Sequence, residues 1–399
     1  MPGFELFDDE ERKQINEVME RGVLMRYGFG AARGGVWKAR EMEEAIAKRT
    51  GAKHALLVAD GTAALTVALA ALGVGAGDEV IMPAFTFVAS FESIIAAGAT
   101  PVIADVDDTL CLSPESARAA ITPRTKVIMP VHMCGASAEI DELSQIAKEK
   151  NLLLLEDACQ AFGAAYKGRA LGTIGDVGCY SFDFNKMVTC GEAGAVLTNS
   201  EEIYERADMY HDHGHDHSNE DRGAEGHPFA GYNYRVSELH AAIGCAQIAK
   251  TDRFVGIQRE TKKILKTALS SVKGLTFRRL PDPDGDSATF LSFFMPSEES
   301  ARRAASSLKA AGIDGVFHWY DNNWHYIRKW DHFKNRRFAA PISSDILNAM
   351  PDYSKVSFKS DEIISRAVSI TIKLGWTKDE IASRAKRIED TVRSAMAER

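Results

Sequence analysis

The sequence predicts an α/β protein whose large domain is followed by a smaller one, and three observations carry that expectation. From Lys53 to Leu197 short apolar runs alternate with segments of helical periodicity, the pattern of a largely parallel sheet flanked by helices. Beyond Arg235 the alternation gives way to one long helical stretch, Ser237 to about Val272, and a second α/β pattern begins after it. With 399 residues, 45% of them hydrophobic, the chain has length for two or three domains and enough apolar side chains to give them cores.

In chain order, His54 to Val58, Glu79 to Met82, Thr100 to Ala104, Lys126 to Val131 and Leu152 to Glu156 read as strands, each a brief apolar run. Helical patterns separate them at Ala63 to Leu72, Phe87 to Ala97 and Ile140 to Lys150. Because each helix follows its strand closely, the strand C-termini are expected to line one edge of the sheet, where open α/β sheets place their ligands. The second region opens with the turn-rich Pro281-Asp282-Pro283-Asp284-Gly285-Asp286 and continues as strand, helix (Glu298 to Ala311) and aromatic loop. A charged amphipathic helix from about Thr377 ends it.

Composition removes several classes of function. The net charge of -8 is spread over 56 acidic and 48 basic residues with no basic block, so nucleic acid is not an expected partner. The acidic opening, Met1-Pro2-Gly3-Phe4-Glu5-Leu6-Phe7-Asp8-Asp9-Glu10, is unlike a secretory signal, and the longest apolar stretch, Thr62 to Gly77, stops at Asp78 and Glu79 before it could span a bilayer. A cytoplasmic protein without a membrane partner is expected. Six scattered cysteines lack any C-x-x-C spacing and are read as reduced thiols.

Three short segments carry candidate chemistry. Asp157 follows the apolar Leu152 to Glu156 and so stands at a strand end; it reads either as a helix N-cap or as a carboxylate that keeps a pyridine nitrogen protonated. Lys186 lies where the strand ending near Ser181 runs out into a loop, and reads either as a solvated lysine or as an amine that attacks an aldehyde. Asp60-Gly61-Thr62-Ala63-Ala64 joins a strand to a helix, whose N-terminus would suit a phosphate, although a plain turn explains the same residues.

Taken with Pro83-Ala84-Phe85-Thr86-Phe87-Val88-Ala89, Glu156 to Ala161 and Gly231-Tyr232-Asn233-Tyr234-Arg235, these segments make the chain resemble the DegT/DnrJ/EryC1/StrS sugar aminotransferases over nearly its whole length. The resemblance implies a fold-type I aminotransferase dependent on pyridoxal 5′-phosphate, with a large domain built on a mostly parallel mixed sheet and a smaller C-terminal α/β domain. It implies residues 26–250 for the large cofactor-binding domain, 251–399 for the small one, and a segment 1–25 packing near the latter. It further implies a homodimer with shared active sites. Carried to matching positions, Lys186 holds the cofactor as a Schiff base and moves the proton, and Asp157 pairs with the ring nitrogen. Gln160 sits near the ring oxygen and Phe87 stacks on the ring. Thr62, Ala63 and Ser181 bind the phosphate with Asn233 of the other subunit. Asp60 departs from the usual serine, and its side chain is expected to point away from the phosphate; Ala193 departs from a usual glycine.

Within the family, the opening residues, the loop Asp212 to His217 and the segments His318-Trp319-Tyr320 and Asn322 to Tyr326 resemble members that aminate an eight-carbon sugar acid of lipopolysaccharide. The implied reaction moves an amino group from glutamate to the C8 aldehyde of 3,8-dideoxy-8-oxo-manno-octulosonate. Its carboxylate would need cationic or hydrogen-bonding partners, for which Arg26, Tyr27, Lys38, His213, His215, His318 and His325 are the candidates. A nucleotide-linked keto sugar is the alternative acceptor; a sugar dehydratase, disfavoured by Lys186, and a non-catalytic cofactor-binding protein are the alternative classes. The alternating His211, His213, His215 and His217 with Asp212 and Asp216 could ligate a transition metal. A Gly- and charge-rich segment without a helix to fix ligand geometry favours a polar loop over the active site, and no metal is expected.

Overall fold

The computed structural model describes residues 2–219, 221–353, 356 and 358–397, so Met1 of the opening motif lies outside the described residues. Seven strands form the large sheet: β1 (His54–Val58), β2 (Glu79–Pro83), β3 (Thr100–Ala104), β4 (Thr125–Ile128), β5 (Leu153–Asp157), β6 (Val177–Ser181) and β7 (Gly194–Thr198). Their order is β1-β7-β6-β5-β4-β2-β3. Strands β2 to β6 are parallel, while β7 runs antiparallel between β6 and β1. Two reversals restore direction, so β1 also runs with β6. The C-terminal residues Val58, Pro83, Asp157 and Ser181 therefore meet on one edge, joined there by Gly194 at the start of β7. Every residue of β2, β6 and β7 is buried, as continuous apolar strands covered on both faces should be.

Helices cover the sheet: α1 (Asp9–Arg21), α2 (Lys38–Thr50), α3 (Gly61–Ala71), α4 (Ala89–Ala96), α5 (Ile140–Lys150), α6 (Glu238–Ala249) and α7 (Thr251–Leu269). Helix α3 is buried nearly all round because Ala63, Ala64, Leu65, Val67, Ala68 and Leu69 give it no polar face to expose. The long stretch from Ser237 is two helices, since Lys250 leaves the helical register and its ammonium is clamped by Glu11 (2.7 Å) and Asp8 (2.9 Å) at the start of α1. Helix α4 starts two residues later than its apolar pattern, because the amides of Thr86 and Val88 donate to the carbonyls of His325 and Trp324.

A second, antiparallel sheet contains β8 (Thr276–Phe277), β9 (Phe290–Phe294), β10 (Val316–His318) and β11 (Ala367–Thr371) in the order β8-β9-β11-β10. With α7, α8 (Glu298–Ala310) and α9 (Lys378–Ala397) it encloses its own core, which includes Leu265, Phe293, Leu308, Ile370 and Ile388. Not all of the chain beyond residue 251 belongs to that core. Trp319, Tyr326, Trp330, Phe333, Tyr353 and Phe358 pack into the first cluster, where Tyr353 Oη donates to Pro101 O (3.2 Å) and Ser360 Oγ to Asp105 Oδ1 (2.7 Å). The N-terminal segment likewise touches both parts: Gly3 N donates to Lys186 O, and Glu5 Oε2 accepts from the amides of Leu374 and Gly375. Among the described residues no helix is long and apolar enough to cross a membrane.

Candidate active site

A cavity of about 660 Å³ opens at the shared edge of the large sheet and is closed on its other side by Phe290, Phe317, Trp319, Trp324 and His325. Its volume lies within the range of small-molecule sites. Asp157, the last residue of β5, is only 4% exposed. Its Oδ2 accepts from Ser90 Oγ (2.7 Å) and its Oδ1 from the Cys159 amide (3.2 Å). Because Ser90 has a single hydroxyl proton and spends it on Asp157, the 2.6 Å contact between Thr86 and Ser90 has Thr86 as donor. Both hydroxyls are fully buried. The result is a carboxylate held by a relay of two hydroxyls, with no cation paired to it among the described residues.

Lys186 lines the cavity from the loop that follows β6. Its backbone is fixed at both ends, the amide donating to Asp183 O (2.9 Å) and the carbonyl accepting from Gly3 N (2.9 Å). The half-buried side chain contributes to the cavity wall. Thr62 and Ser181 also line the wall. Gly61 brings α3 against β6 so closely that a Cβ there would lie 2.8 Å from the Ser181 Cβ, a contact no side chain tolerates. The α3 N-terminus and the Ser181 hydroxyl are thereby joined into one polar corner.

Asp60 does not point away from that corner. Its Oδ1 accepts from the Ala63 amide at 2.8 Å and caps α3, so the Ala63 N–H expected to serve a phosphate is engaged by a carboxylate. Aspartate is a favoured N-cap, and the sequence contains that signal; the expectation of an averted side chain weighed only repulsion.

Gln160 and His325 meet on the cavity wall. Gln160 Oε1 accepts from the Cys134 amide (3.0 Å), which leaves its NH₂ directed at His325 Nε2 (3.4 Å). Burial, reinforced by the charge of Lys186, pushes the His325 pKa down to about 3, so the ring is neutral. Its proton then sits on Nδ1, donated to Asn322 Oδ1 at 3.0 Å, and Nε2 is the acceptor. Phe87 packs against both His325 and Trp324, at 5.4 and 5.6 Å between ring centres.

The remaining sequence candidates lie elsewhere, and their own partners explain why. Arg26 is buried against Glu43 (2.7 Å) and Leu57 O; Tyr27 donates to Asp208 (3.0 Å); Lys38 is ion-paired to Glu17 and Glu41. His213 is exposed, His215 pairs with Glu225 (2.6 Å), and His318 bridges Asp321 and the Ser365 carbonyl. None of these six lines the cavity of this chain. Asn233 is also outside it, in an exposed segment where its Oδ1 accepts from the Arg235 amide (3.3 Å).

The histidine loop is an electrostatic knot. Asp212 is fully buried and holds Arg222, Arg235 and His217; despite burial, these partners depress its carboxyl pKa strongly. His217 bridges Asp208 and Asp212, which outweigh the cost of burial and raise its pKa to about 9. Among the described residues no group of three or more His, Cys, Asp or Glu is arranged to hold a metal ion.

Sequence reasoning missed Ser90, Thr86, Trp319 and Trp324. Thr86 lies within the motif Pro83 to Ala89 and Ser90 directly follows it, so their place at the cavity was within reach. Trp324 arrives through pairing of residues 85–88 with 324–326, including a bridge between Phe85 and Tyr326, and Trp319 follows β10 with its indole N–H donated to Ser369 Oγ (2.7 Å); no local pattern announces either.

The DegT/DnrJ/EryC1/StrS aminotransferase family model matches residues 6–365. A GDP-perosamine synthase of Caulobacter vibrioides is 42% identical over 61% of this chain, a match that covers 63% of that protein. A GDP-perosamine synthase of Vibrio cholerae is 35% identical over 73% of this chain and 74% of its own length. Among solved structures, a 3-amino-5-hydroxybenzoic acid synthase is 33% identical and superposes with a TM-score of 0.79 over 97% of both chains.

Proposed function

The chain belongs to the DegT/DnrJ/EryC1/StrS aminotransferase family and is a pyridoxal phosphate-dependent aminotransferase, and on that premise we propose that it moves an amino group from glutamate to the C8 aldehyde of 3,8-dideoxy-8-oxo-manno-octulosonate. The observation that carries the catalytic part is the convergence of Lys186, Asp157, Ser181 and the α3 N-terminus on one cavity. The donor set fits the cofactor: an amine for its aldehyde, a buried carboxylate without a counter-cation for its ring nitrogen, and a hydroxyl beside a helix N-terminus for its phosphate. Bound there, pyridoxal phosphate supplies the carbonyl that takes up the donor's amino group and the electron-poor ring that eases loss of the Cα proton.

The chain's own residues do the rest. Lys186 holds the cofactor covalently until the donor arrives, and its freed amine carries the proton between the donor Cα and the cofactor C4′. Asp157 keeps the proton on the ring nitrogen, and Ser90 keeps Asp157 in place. Phe87, backed by His325 and Trp324, covers one ring face and excludes water. Gln160 donates toward the ring oxygen from an amide whose orientation Cys134 N fixes.

The acceptor assignment draws on the segment Asn322 to Tyr326, whose Trp324 and His325 line the cavity. Among the described residues Lys186 is the only lysine or arginine that lines the cavity, against Asp60, Asp183, Glu192 and Asp157. A carboxylated acceptor therefore takes its cations from a second copy, in keeping with a shared site. Steady-state assays with glutamate are expected to show the octulosonate aldehyde aminated at least about a hundredfold more efficiently than any nucleotide-linked 4-keto sugar, about 2.7 kcal/mol in transition-state binding. The reverse ranking would instead favour a nucleotide-linked acceptor, the class to which the GDP-perosamine in its relatives' names belongs.

Sharing makes its own prediction. Mixing inactive Lys186→Ala subunits with impaired Asn233→Ala subunits is expected to give heterodimers with one intact site, and activity clearly above either parent. No gain on mixing would mean that each site is built within one chain.

A further inference from the structure

We propose that Asp60 competes with the cofactor phosphate for the first turn of α3, and so sets how tightly the chain retains its phosphorylated cofactor. The inference rests on the reading of Thr62, Ala63 and Ser181 as phosphate ligands, and concerns a residue that reading leaves without a role.

Three observations place the carboxylate where it must interfere. Asp60 Oδ1 already accepts the Ala63 N–H at 2.8 Å, while Asp60 O accepts from Ala64 (3.0 Å), so side chain and backbone together hold the helix start. The backbone is pinned: the neighbouring Ala59 amide donates to Tyr234 O (2.7 Å), and β7 presses so close that a Cβ on Gly194 would lie 2.2 Å from Asp60 O. The carboxylate can rotate, but it cannot be carried away from the corner. Finally, Asp183 and Glu192 line the same cavity, and burial followed by the charges of Asp183 and Asp60 raises the Glu192 pKa.

A phosphate entering this corner gains the helix N-terminus but must share it with a fixed negative charge. Without the cofactor, Asp60 satisfies the orphan amide and favours the helix through its dipole. With the cofactor, the same carboxylate opposes a dianion, and their repulsion is strong in a partly desolvated pocket. Asp60 therefore stabilises the empty corner and weakens the filled one, which makes the cofactor more readily exchanged.

Asparagine separates charge from capping, since it caps helices as well as aspartate does. Cofactor-free full-length protein is titrated with pyridoxal phosphate and with pyridoxal, which lacks the phosphate, following absorbance and intrinsic fluorescence. Asp60→Asn is expected to bind pyridoxal phosphate at least about tenfold more tightly, or about 1.4 kcal/mol, with pyridoxal binding unchanged. Asp60→Ser serves as the second variant if the first folds poorly by thermal melting. Ser181→Ala is expected to weaken pyridoxal phosphate but not pyridoxal. Unchanged phosphate-dependent affinity in both Asp60 variants, or equal tightening of both ligands, overturns the proposal while the Ser181 result leaves the phosphate corner standing. If Ser181→Ala and Thr62→Ala both leave the preference for pyridoxal phosphate over pyridoxal intact, the phosphate corner itself is misplaced and the proposal falls with it.

Discussion

Replacing Lys186 with alanine is expected to reduce transamination by at least about 10⁴-fold, the upper end of what a positioned general base contributes, because the proposed role combines proton transfer with covalent retention of the cofactor. The structure supports a large effect. Lys186 is the only lysine on the cavity wall among the described residues, and its amide is tied to Asp183 and its carbonyl to Gly3 of the N-terminal segment. Among the described residues no second lysine lines the cavity to take over. Arginine at this position retains charge but cannot form the bond to an aldehyde, so Lys186→Arg is expected to be as inactive as the alanine variant. Borohydride reduction of the wild-type protein followed by peptide mapping should place the pyridoxyl group on Lys186. A label on another lysine, or appreciable activity in the arginine variant, would show that the residue acts only through its charge or not at all.

How far the sequence reached follows from where each residue sits. Asp157 and Ser181 close parallel strands, and Lys186 lies on the loop after Ser181; strand ends of an α/β sheet share an edge, so alternation alone brings them together. Asn322 to Tyr326 lies far away in sequence and reaches the cavity only because its carbonyls accept from Thr86 and Val88. Charge was the least legible property. Arg26 and Lys38 looked like free cations, yet each is consumed by acidic partners, Glu43 in one case and Glu17 and Glu41 in the other. A string of letters records a charge but not its neutralisation. The partners of Lys250 were hidden for a related reason, since Glu11 and Asp8 come from the N-terminal segment.

Asp157→Asn is expected to slow the glutamate half-reaction by about 10³-fold, or about 4 kcal/mol of transition-state stabilisation, while changing cofactor affinity far less. The argument begins with burial. A carboxylate that is 4% exposed, with only Ser90 Oγ and the Cys159 amide to satisfy it among the described residues, is an incomplete electrostatic arrangement until a cation stands beside it. A protonated ring nitrogen completes it. Asparagine preserves shape and can accept from one of these two donors with its single oxygen, but it no longer favours that proton, so electrons released at Cα lose their sink. Binding survives because the phosphate corner is built from Ser181 and the α3 N-terminus, groups that Asp157→Asn leaves in place. Ser90→Ala tests the same role more gently: a hydrogen bond to a charged group contributes about 1.5–3 kcal/mol, so a loss of about 10- to 100-fold is expected. The double variant should be little slower than Asp157→Asn alone, because Ser90 acts through the carboxylate and the two effects do not add. Single-turnover rates measured with the pyridoxal form decide the matter. Near-normal rates in Asp157→Asn, or a Ser90→Ala loss that multiplies with it, would remove Asp157 from the chemistry and return it to a structural role at the end of β5.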